Sequence, residues 1–165
     1  MTDHSKPWEN YEQVARKVIS DLRHELGVGE VEGKQRLQGE SGATWEIDGK
    51  ATLGSNEGFL VVEARRHTAS GQKQEHLAAL AYRVHDLGGT GGIIVSPLPL
   101  QKGAAIIAAH ENIAELRVSA DSTSENYMAQ FLEQTFHRAT LKSRLAFGDS
   151  LTTTLYRADS SGDGT

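Results

Sequence analysis

The chain has 165 residues, of which 24% are charged and 38% hydrophobic, and its formal net charge is −5. This length suits one globular domain with its own core, and the composition excludes a largely disordered chain. The sequence has no apolar run of the roughly 18 residues that a membrane span needs, no signal-peptide pattern at its start and no cysteine. We therefore expect a cytoplasmic protein with no membrane partner, and the negative net charge does not exclude nucleic-acid binding through a local basic patch.

Hydrophobic periodicity predicts alternating helices and strands along the chain. Helices are predicted over residues 8–26, 72–87 and 100–110, and strands over residues 28–38, 45–53, 59–66, 92–96 and 113–119. The run 92–96 is apolar up to its last residue, which indicates a strand that is covered on both faces. The final third is predicted to contain a helix over 127–136, alternating residues over 137–147, a strand over 151–156 that pairs with them, and a frayed tail over 160–165.

The strands at 45–53 and 59–66 flank a connector that contains Gly and Asn, a spacing that predicts a β-hairpin. In the first of these strands, the period of two places Glu46, Asp48 and Lys50 on one face. In the second strand, Glu63 directly follows the apolar run Phe-Leu-Val-Val. Because a buried carboxylate without a partner costs several kcal/mol, we expect Glu63 to hold a cation.

The cation at Glu63 could be a metal ion or an arginine. Asp48 is expected on the adjacent strand, and two carboxylates that converge beside a cationic residue can hold Mg²⁺. Alternatively, Glu63 simply forms an ion pair with Arg65 or Arg66 where the strand ends.

Short sequence strings in and around the hairpin carry a family resemblance. They are residues 41–48 (SGATWEID), residues 61–67 (VVEARRH), the Tyr11-Glu12 pair of the first helix, the Gly-Ile-Ile-Val-Ser run at 92–96 and the Lys-Gly-Ala start of the following helix at 102–104. Together they resemble the PD-(D/E)xK nuclease superfamily, and within it the Mrr-type restriction endonuclease-like proteins. The resemblance covers roughly residues 8–119, and the lysine of the family pattern is replaced here by Arg65.

The resemblance implies an α/β fold with a restriction-endonuclease-like core. The implied order is α-β-β-β-α-β-α-β around a mixed sheet, followed by a C-terminal helix and strand pair. Residues 1–165 would then form a single domain, with the core at about 8–119, the C-terminal extension at 120–159 and the tail at 160–165.

The resemblance also implies Mg²⁺-dependent (or Mn²⁺-dependent) hydrolysis of phosphodiester bonds, by an endonuclease that acts on double-stranded DNA. Asp48, Glu63 and the backbone carbonyl of Ala64 would hold the metal ion. The catalytic residues would be Asp48, Glu63 and Arg65. Because arginine keeps its proton near neutral pH, Arg65 could orient water or stabilise charge on the phosphate, but it could not act as a base.

Other polar residues are expected to border this site. Additional site residues would be Glu12, Glu46 and Gln74, and the nucleic-acid-binding residues would be Lys34, Arg36, Lys50, Arg66 and Lys73. The sequence shows no separate DNA-reading module, so a homodimer or a partner would have to supply any sequence specificity.

The sequence also allows a second function: a catalytically inactive protein with the nuclease fold, which binds nucleic acid or a protein partner. The Glu-x-Arg replacement and the negative net charge favour this alternative. The retained Asp48 and Glu63 favour the enzyme, because an inactive site would be free to lose a pair of carboxylates that repel each other.

Overall fold

The computed structural model describes residues 7–54, 58–66 and 69–122, together with the strands at 128–132 and 153–157. In this part of the chain the helices are α1 (Pro7–Asp21), α2 (Arg23–Leu26), α3 (Gln74–Asp86) and α4 (Lys102–His110). The strands are β1 (Val28–Glu32), β2 (Gln35–Gln38), β3 (Thr44–Ile47), β4 (Gly49–Leu53), β5 (Phe59–Ala64), β6 (Gly91–Ser96), β7 (Ile113–Val118), β8 (Met128–Leu132) and β9 (Thr153–Arg157). The helices and strands predicted between residues 8 and 119 are therefore present, although three of them are each divided in two.

Seven strands form one mixed sheet in the order β1-β4-β5-β6-β7-β8-β9. The three central strands β5, β6 and β7 are parallel, and the other neighbouring pairs are antiparallel. Parallel neighbours need a crossover connection, and α3 and α4 provide the two crossovers. The strands β2 and β3 form a separate two-stranded sheet.

Helices cover both faces of the large sheet, so the core has two halves. On one face, residues of α1 and α2 such as Tyr11, Val18 and Leu26 pack with Leu60, Val62, Ile93 and Leu116 of the sheet. On the other face, Leu77, Leu80, Val84 and Ala104 of α3 and α4 pack with Val61, Ile94 and Ile113. All six residues of β6 are buried, which confirms the prediction of a strand covered on both faces. Each large apolar side chain buried there contributes about 1.5–3 kcal/mol to the free energy of unfolding.

The predicted β-hairpin is formed by β4 and β5, which are antiparallel neighbours. The single strand predicted over 45–53 is wrong, however, because Asp48 lies at a break between β3 and β4, and β3 pairs with β2 instead. Glu46, Asp48 and Lys50 therefore do not share one strand face. The break coincides with a long-range hydrogen bond, in which Asp48 Oδ2 accepts the backbone N–H of Ala64 (2.8 Å). Local alternation of residue types cannot encode such a contact.

The other two divided elements are close to each other at the start of the chain. The helix predicted over 8–26 is interrupted at Leu22 and ends at Gly27, which has a positive φ of 66°. The strand predicted over 28–38 divides into β1, in the large sheet, and β2, in the small sheet. The chain leaves the large sheet after β1 and returns to it at β4, so β2 and β3 lie outside that sheet.

The helix predicted over 127–136 is wrong in the part that the structure describes, because Met128–Leu132 is a strand. This strand pairs with β7, and the backbone hydrogen bonds of that pairing override a helical spacing of apolar residues. The strand predicted over 151–156 is confirmed as β9, but its partner is β8. The predicted alternating segment 137–147 and the tail 160–165 lie outside the described residues.

Residues 7–118 thus have the α-β-β-β-α-β-α-β core expected of a restriction-endonuclease-like fold, formed by α1, β1, β4, β5, α3, β6, α4 and β7. The two C-terminal strands extend the sheet beyond β7. Among the described residues, the helices lack the combination of length and apolar character that crossing a bilayer would require.

Candidate active site

Asp48 lies where β4 begins, opposite the end of β5. Its carboxylate accepts the N–H of Ala64 and also lines a cleft of about 250 Å³ between α1 and the loop before β2. Burial raises the pKa of Asp48, and the negative charge of Glu63 raises this pKa further, while the Ala64 N–H, Lys34 and Arg65 lower it. The two carboxylates of the predicted pair are therefore close enough to repel each other.

Glu63 lies on the sheet face that α3 and α4 cover, and only 6% of the residue is exposed. Its Oε1 accepts a hydrogen bond from Arg65 and its Oε2 accepts one from Arg83 of α3. The alternative in which Glu63 pairs with Arg65 is thus what the side chains show, with a second arginine added. Arg66 instead donates to the backbone carbonyl of Ala120 (2.9 Å).

Arg83 is held against Glu63 by an aromatic ring. Its guanidinium lies 5.4 Å from the ring centroid of Trp45, within cation–π distance, and the Trp45 ring also makes an edge contact with Tyr82. Trp45 Nε1 donates to Asp86 Oδ2 (2.6 Å) at the end of α3. A chain of contacts therefore runs from Asp86 through Trp45 and Arg83 to Glu63.

Asp86 also fixes the turn between β2 and β3. It accepts hydrogen bonds from the backbone N–H and the hydroxyl of Ser41, both at 2.8 Å. Gly39 is required beside it, because a Cβ at that position would lie 1.9 Å from Asp86 Oδ2. These contacts dock the small sheet on α3 and keep Trp45 over Arg83.

Carboxylate and carbonyl oxygens are the ligand type that Mg²⁺ prefers, so the donor chemistry of Asp48, Glu63 and Ala64 suits a magnesium ion. The arrangement of these groups does not present a ready site. Both oxygens of Glu63 face guanidinium groups, and one oxygen of Asp48 faces a backbone N–H. Among the described residues, no three Asp, Glu, His or Cys side chains are grouped as metal ligands. A metal ion here would require Glu63 to release at least one arginine.

The predicted additional residues Glu12 and Glu46 lie beside Asp48, linked through Lys34. Lys34 Nζ is 3.6 Å from Glu12 and 3.1 Å from Glu46, and Arg36 Nε is 3.4 Å from Glu46. Burial raises the pKa of Glu12 and the charge of Asp48 adds to this rise, whereas Lys34 lowers the pKa. The cleft is therefore lined by two carboxylates of raised pKa, Glu12 and Asp48, and by two cations, Lys34 and Arg16.

The remaining predicted residues are not brought into this cleft by any described contact. Gln74 lies in the first turn of α3 against Gly103, where an added Cβ would lie 2.3 Å from its Oε1. Lys50 lies over the Phe59 ring (5.0 Å), and Lys73 precedes α3 as an exposed residue. The basic residues predicted to bind nucleic acid are thus divided, since Lys34 and Arg36 pair with acidic residues and Arg66 with a backbone carbonyl.

Sequence reasoning missed two arginines of the site region. Arg83 lies next to Val84 on the buried side of α3, and no local signal identifies Glu63 as its partner. Arg117 on β7 could have been found, because Glu115-Leu-Arg117 repeats the Glu-x-Arg spacing of residues 63–65. Arg117 Nε donates to Glu115 Oε1 (3.0 Å), just as Arg65 pairs with Glu63.

No protein-family model matches the chain, and no curated protein matches it. Among solved structures, the chain is similar to a protein of unknown function, AF1548, with a TM-score of 0.52, 20% identity, and coverage of 64% of this chain and 56% of that one. A repair endonuclease from Pyrococcus abyssi aligns with a TM-score of 0.45, 16% identity, and coverage of 66% and 47%. The chain spans about half the length of these two proteins. The likeness to AF1548 shows that the fold of the core recurs in a solved structure.

Proposed function

We propose that this protein hydrolyses phosphodiester bonds of nucleic acid, with double-stranded DNA as the substrate, as a member of the PD-(D/E)xK superfamily of the Mrr type. The observation that supports this proposal is the position of Asp48 and Glu63. Asp48 lies at the break before β4 and Glu63 lies on the neighbouring strand β5 of a restriction-endonuclease-like core, close enough that Glu63 raises the pKa of Asp48, with Arg65 beside them.

In this proposal Asp48, Glu63 and the Ala64 carbonyl would hold Mg²⁺ or Mn²⁺, which when bound would neutralise charge on the scissile phosphate. Glu63 faces two guanidinium groups in the described arrangement, so it would have to release one of them to bind the ion. The role of Arg65 follows from its own chemistry. It is 39% exposed and permanently charged, so it would stabilise negative charge that develops on the phosphate.

A second candidate function is supported by the same two guanidinium groups. A carboxylate that is neutralised from both sides is a structural ion pair in many proteins, so the chain would then be a catalytically inactive nuclease fold that binds nucleic acid or a protein partner. We also propose a cytoplasmic location, in keeping with the lack of cysteine. A homodimer or a partner would supply any sequence specificity.

The test is cleavage of supercoiled plasmid DNA with Mg²⁺ or Mn²⁺, with and without a chelator. We expect cleavage by the wild type that the chelator abolishes, loss of cleavage in Asp48→Asn, and retained or increased cleavage in Arg65→Lys. Glu30→Gln is the matched control, because Glu30 is an exposed residue on the edge strand β1. This variant should cleave the plasmid as the wild type does. A wild type that binds DNA but never cleaves it would refute the hydrolase and favour the inactive binder.

A further inference from the structure

The Glu-x-Arg pair of β5 is repeated on β7. Glu115 is 3% exposed, and its Oε1 accepts hydrogen bonds from Arg117 (3.0 Å) and from the backbone N–H of Leu100 (3.2 Å). A buried carboxylate with two donors holds the arginine beside it in one orientation. Arg117 is therefore positioned by the same kind of contact as Arg65.

Strand register places the two pairs in matching rows of the sheet. Glu63 is level with Ile94, and Ile94 is level with Glu115. Two residues further along the strands, Ser96 is level with Arg117. At the same end of the sheet, the N–H of Arg65 donates to the carbonyl of Val95 (2.7 Å). The two arginines thus flank β6 on the same face of the sheet.

One small residue, Ser96 of β6, lies between these two arginines. Ser96 is buried, and its hydroxyl donates to the carbonyl of Leu98 (2.9 Å). Neighbouring strands are about 4.8 Å apart, which puts the backbones of Arg65 and Arg117 roughly 10 Å apart. Separate glutamates hold the two guanidinium groups.

Both arginines can still contact an external anion. Arg65 is 39% exposed and Arg117 is 28% exposed. Among the described residues, each ion pair uses one nitrogen, Nη2 in Arg65 and Nε in Arg117, out of the five N–H donors that a guanidinium carries. They lie at the carboxyl ends of three parallel strands, the edge at which open α/β sheets bind ligands.

We propose that Arg65 and Arg117 bind two phosphates of one nucleic-acid strand, which crosses the carboxyl ends of β5, β6 and β7. A guanidinium fork matches phosphate oxygens, and two such forks at a fixed spacing suit a polymer with repeated phosphates. Glu63 and Glu115 are positioning residues in this arrangement. The inference rests on the proposed action on nucleic acid and adds β7 to the surface that contacts it.

The test measures binding of a short DNA duplex, without divalent metal, across about 50–200 mM salt. Each neutralised phosphate contributes about 0.9 to the slope of log affinity against log salt concentration. We expect Arg117→Gln to lower that slope by about 0.9, and Arg117→Lys to keep the slope because the charge is kept. Arg23→Gln is the matched control, because Arg23 is exposed on α2, which packs by the opposite edge of the sheet, and its slope should equal that of the wild type.

Arg117→Gln leaves Glu115 buried without its cation, which could destabilise the fold. A second variant separates this effect from the loss of a phosphate contact. The paired variant Glu115→Gln/Arg117→Gln removes both charges and should show the same lowered slope. Wild-type slopes in both glutamine variants would overturn the inference and leave the proposed function standing. A lowered slope in Arg117→Lys would also overturn it, because the position would then act through packing. A wild type that fails to bind DNA at low salt would overturn both proposals together.

Discussion

Replacement of Arg83 by glutamine tests the contact between Arg83 and Glu63, which occupies one of the oxygens that a metal ion would need. The change removes the guanidinium from Glu63 Oε2 and from the Trp45 ring. Leaving a buried charge with no partner costs about 3–5 kcal/mol, but Arg65 still pairs with Oε1 here. The loss is therefore one charge-assisted hydrogen bond, about 1.5–3 kcal/mol, and one cation–π contact, about 0.5–1 kcal/mol.

The expected decrease in the free energy of unfolding is thus about 2–4 kcal/mol. For a chain of this length that corresponds to a decrease in Tm of roughly 5–15 °C, measured by thermal denaturation with circular dichroism detection. In a Glu63→Gln background the same Arg83→Gln change should cost less, because the carboxylate charge is already gone, and the difference measures the coupling energy. The exposed control Arg23→Gln should change the free energy of unfolding by less than about 0.5 kcal/mol.

Equal costs of Arg83→Gln in the wild-type and Glu63→Gln backgrounds would refute the ion pair as described. The same variant also bears on the metal. If Glu63 is a metal ligand, removal of Arg83 frees one of its oxygens, and calorimetry should show tighter Mn²⁺ binding to Arg83→Gln than to the wild type. Unchanged Mn²⁺ affinity would count against Glu63 as a ligand.

Two further predictions concern single polar groups, the half-buried Asp48 and the buried Tyr11. The pKa of Asp48 is raised in the folded protein, so the folded state binds more protons than the unfolded state between the unfolded and folded pKa values, and stability falls as pH rises through that window. Asp48→Asn should therefore be at least as stable as the wild type at pH 7 and show a flatter pH dependence of Tm; a lower Tm for the variant at pH 7 would contradict this. Tyr11→Phe removes the hydrogen bond from the buried Tyr11 hydroxyl to the Val118 carbonyl (2.9 Å) and should cost about 1–3 kcal/mol in urea denaturation, whereas an unchanged midpoint would show that this bond contributes nothing net.

Much of the core could be predicted from sequence because its signals are local. The apolar run at 92–96 specifies a strand buried on both faces, and β6 is that strand. The stripe over 72–87 specifies one buried helix face, and the structure buries Leu77, Leu80 and Val84 on α3. Such periodicity predicts the element without information about the element that packs against it.

The features that decide the site depend on contacts between distant residues. The break at Asp48 requires the N–H of Ala64, sixteen positions along the chain. The contact of Arg83 with Glu63 depends on how α3 is rotated relative to β5, and the two residues are twenty positions apart in the chain. The helix predicted over 127–136 is wrong for the same reason. Its apolar spacing fits a helix, but residues 128–132 form a strand because they pair with β7, a distant partner that local spacing does not reveal.

Because β2 and β3 are separate from the large sheet, we expect the small sheet to open locally before the rest of the core unfolds. Their backbone ladder is closed within the pair, so the small sheet can open without breaking a ladder hydrogen bond of the seven-stranded sheet. Segments of this kind open as cooperative units at a lower free energy than global unfolding. Opening of the small sheet would take Trp45 away from Arg83. The ion pair between Arg83 and Glu63 is therefore linked thermodynamically to the docking of the small sheet on α3.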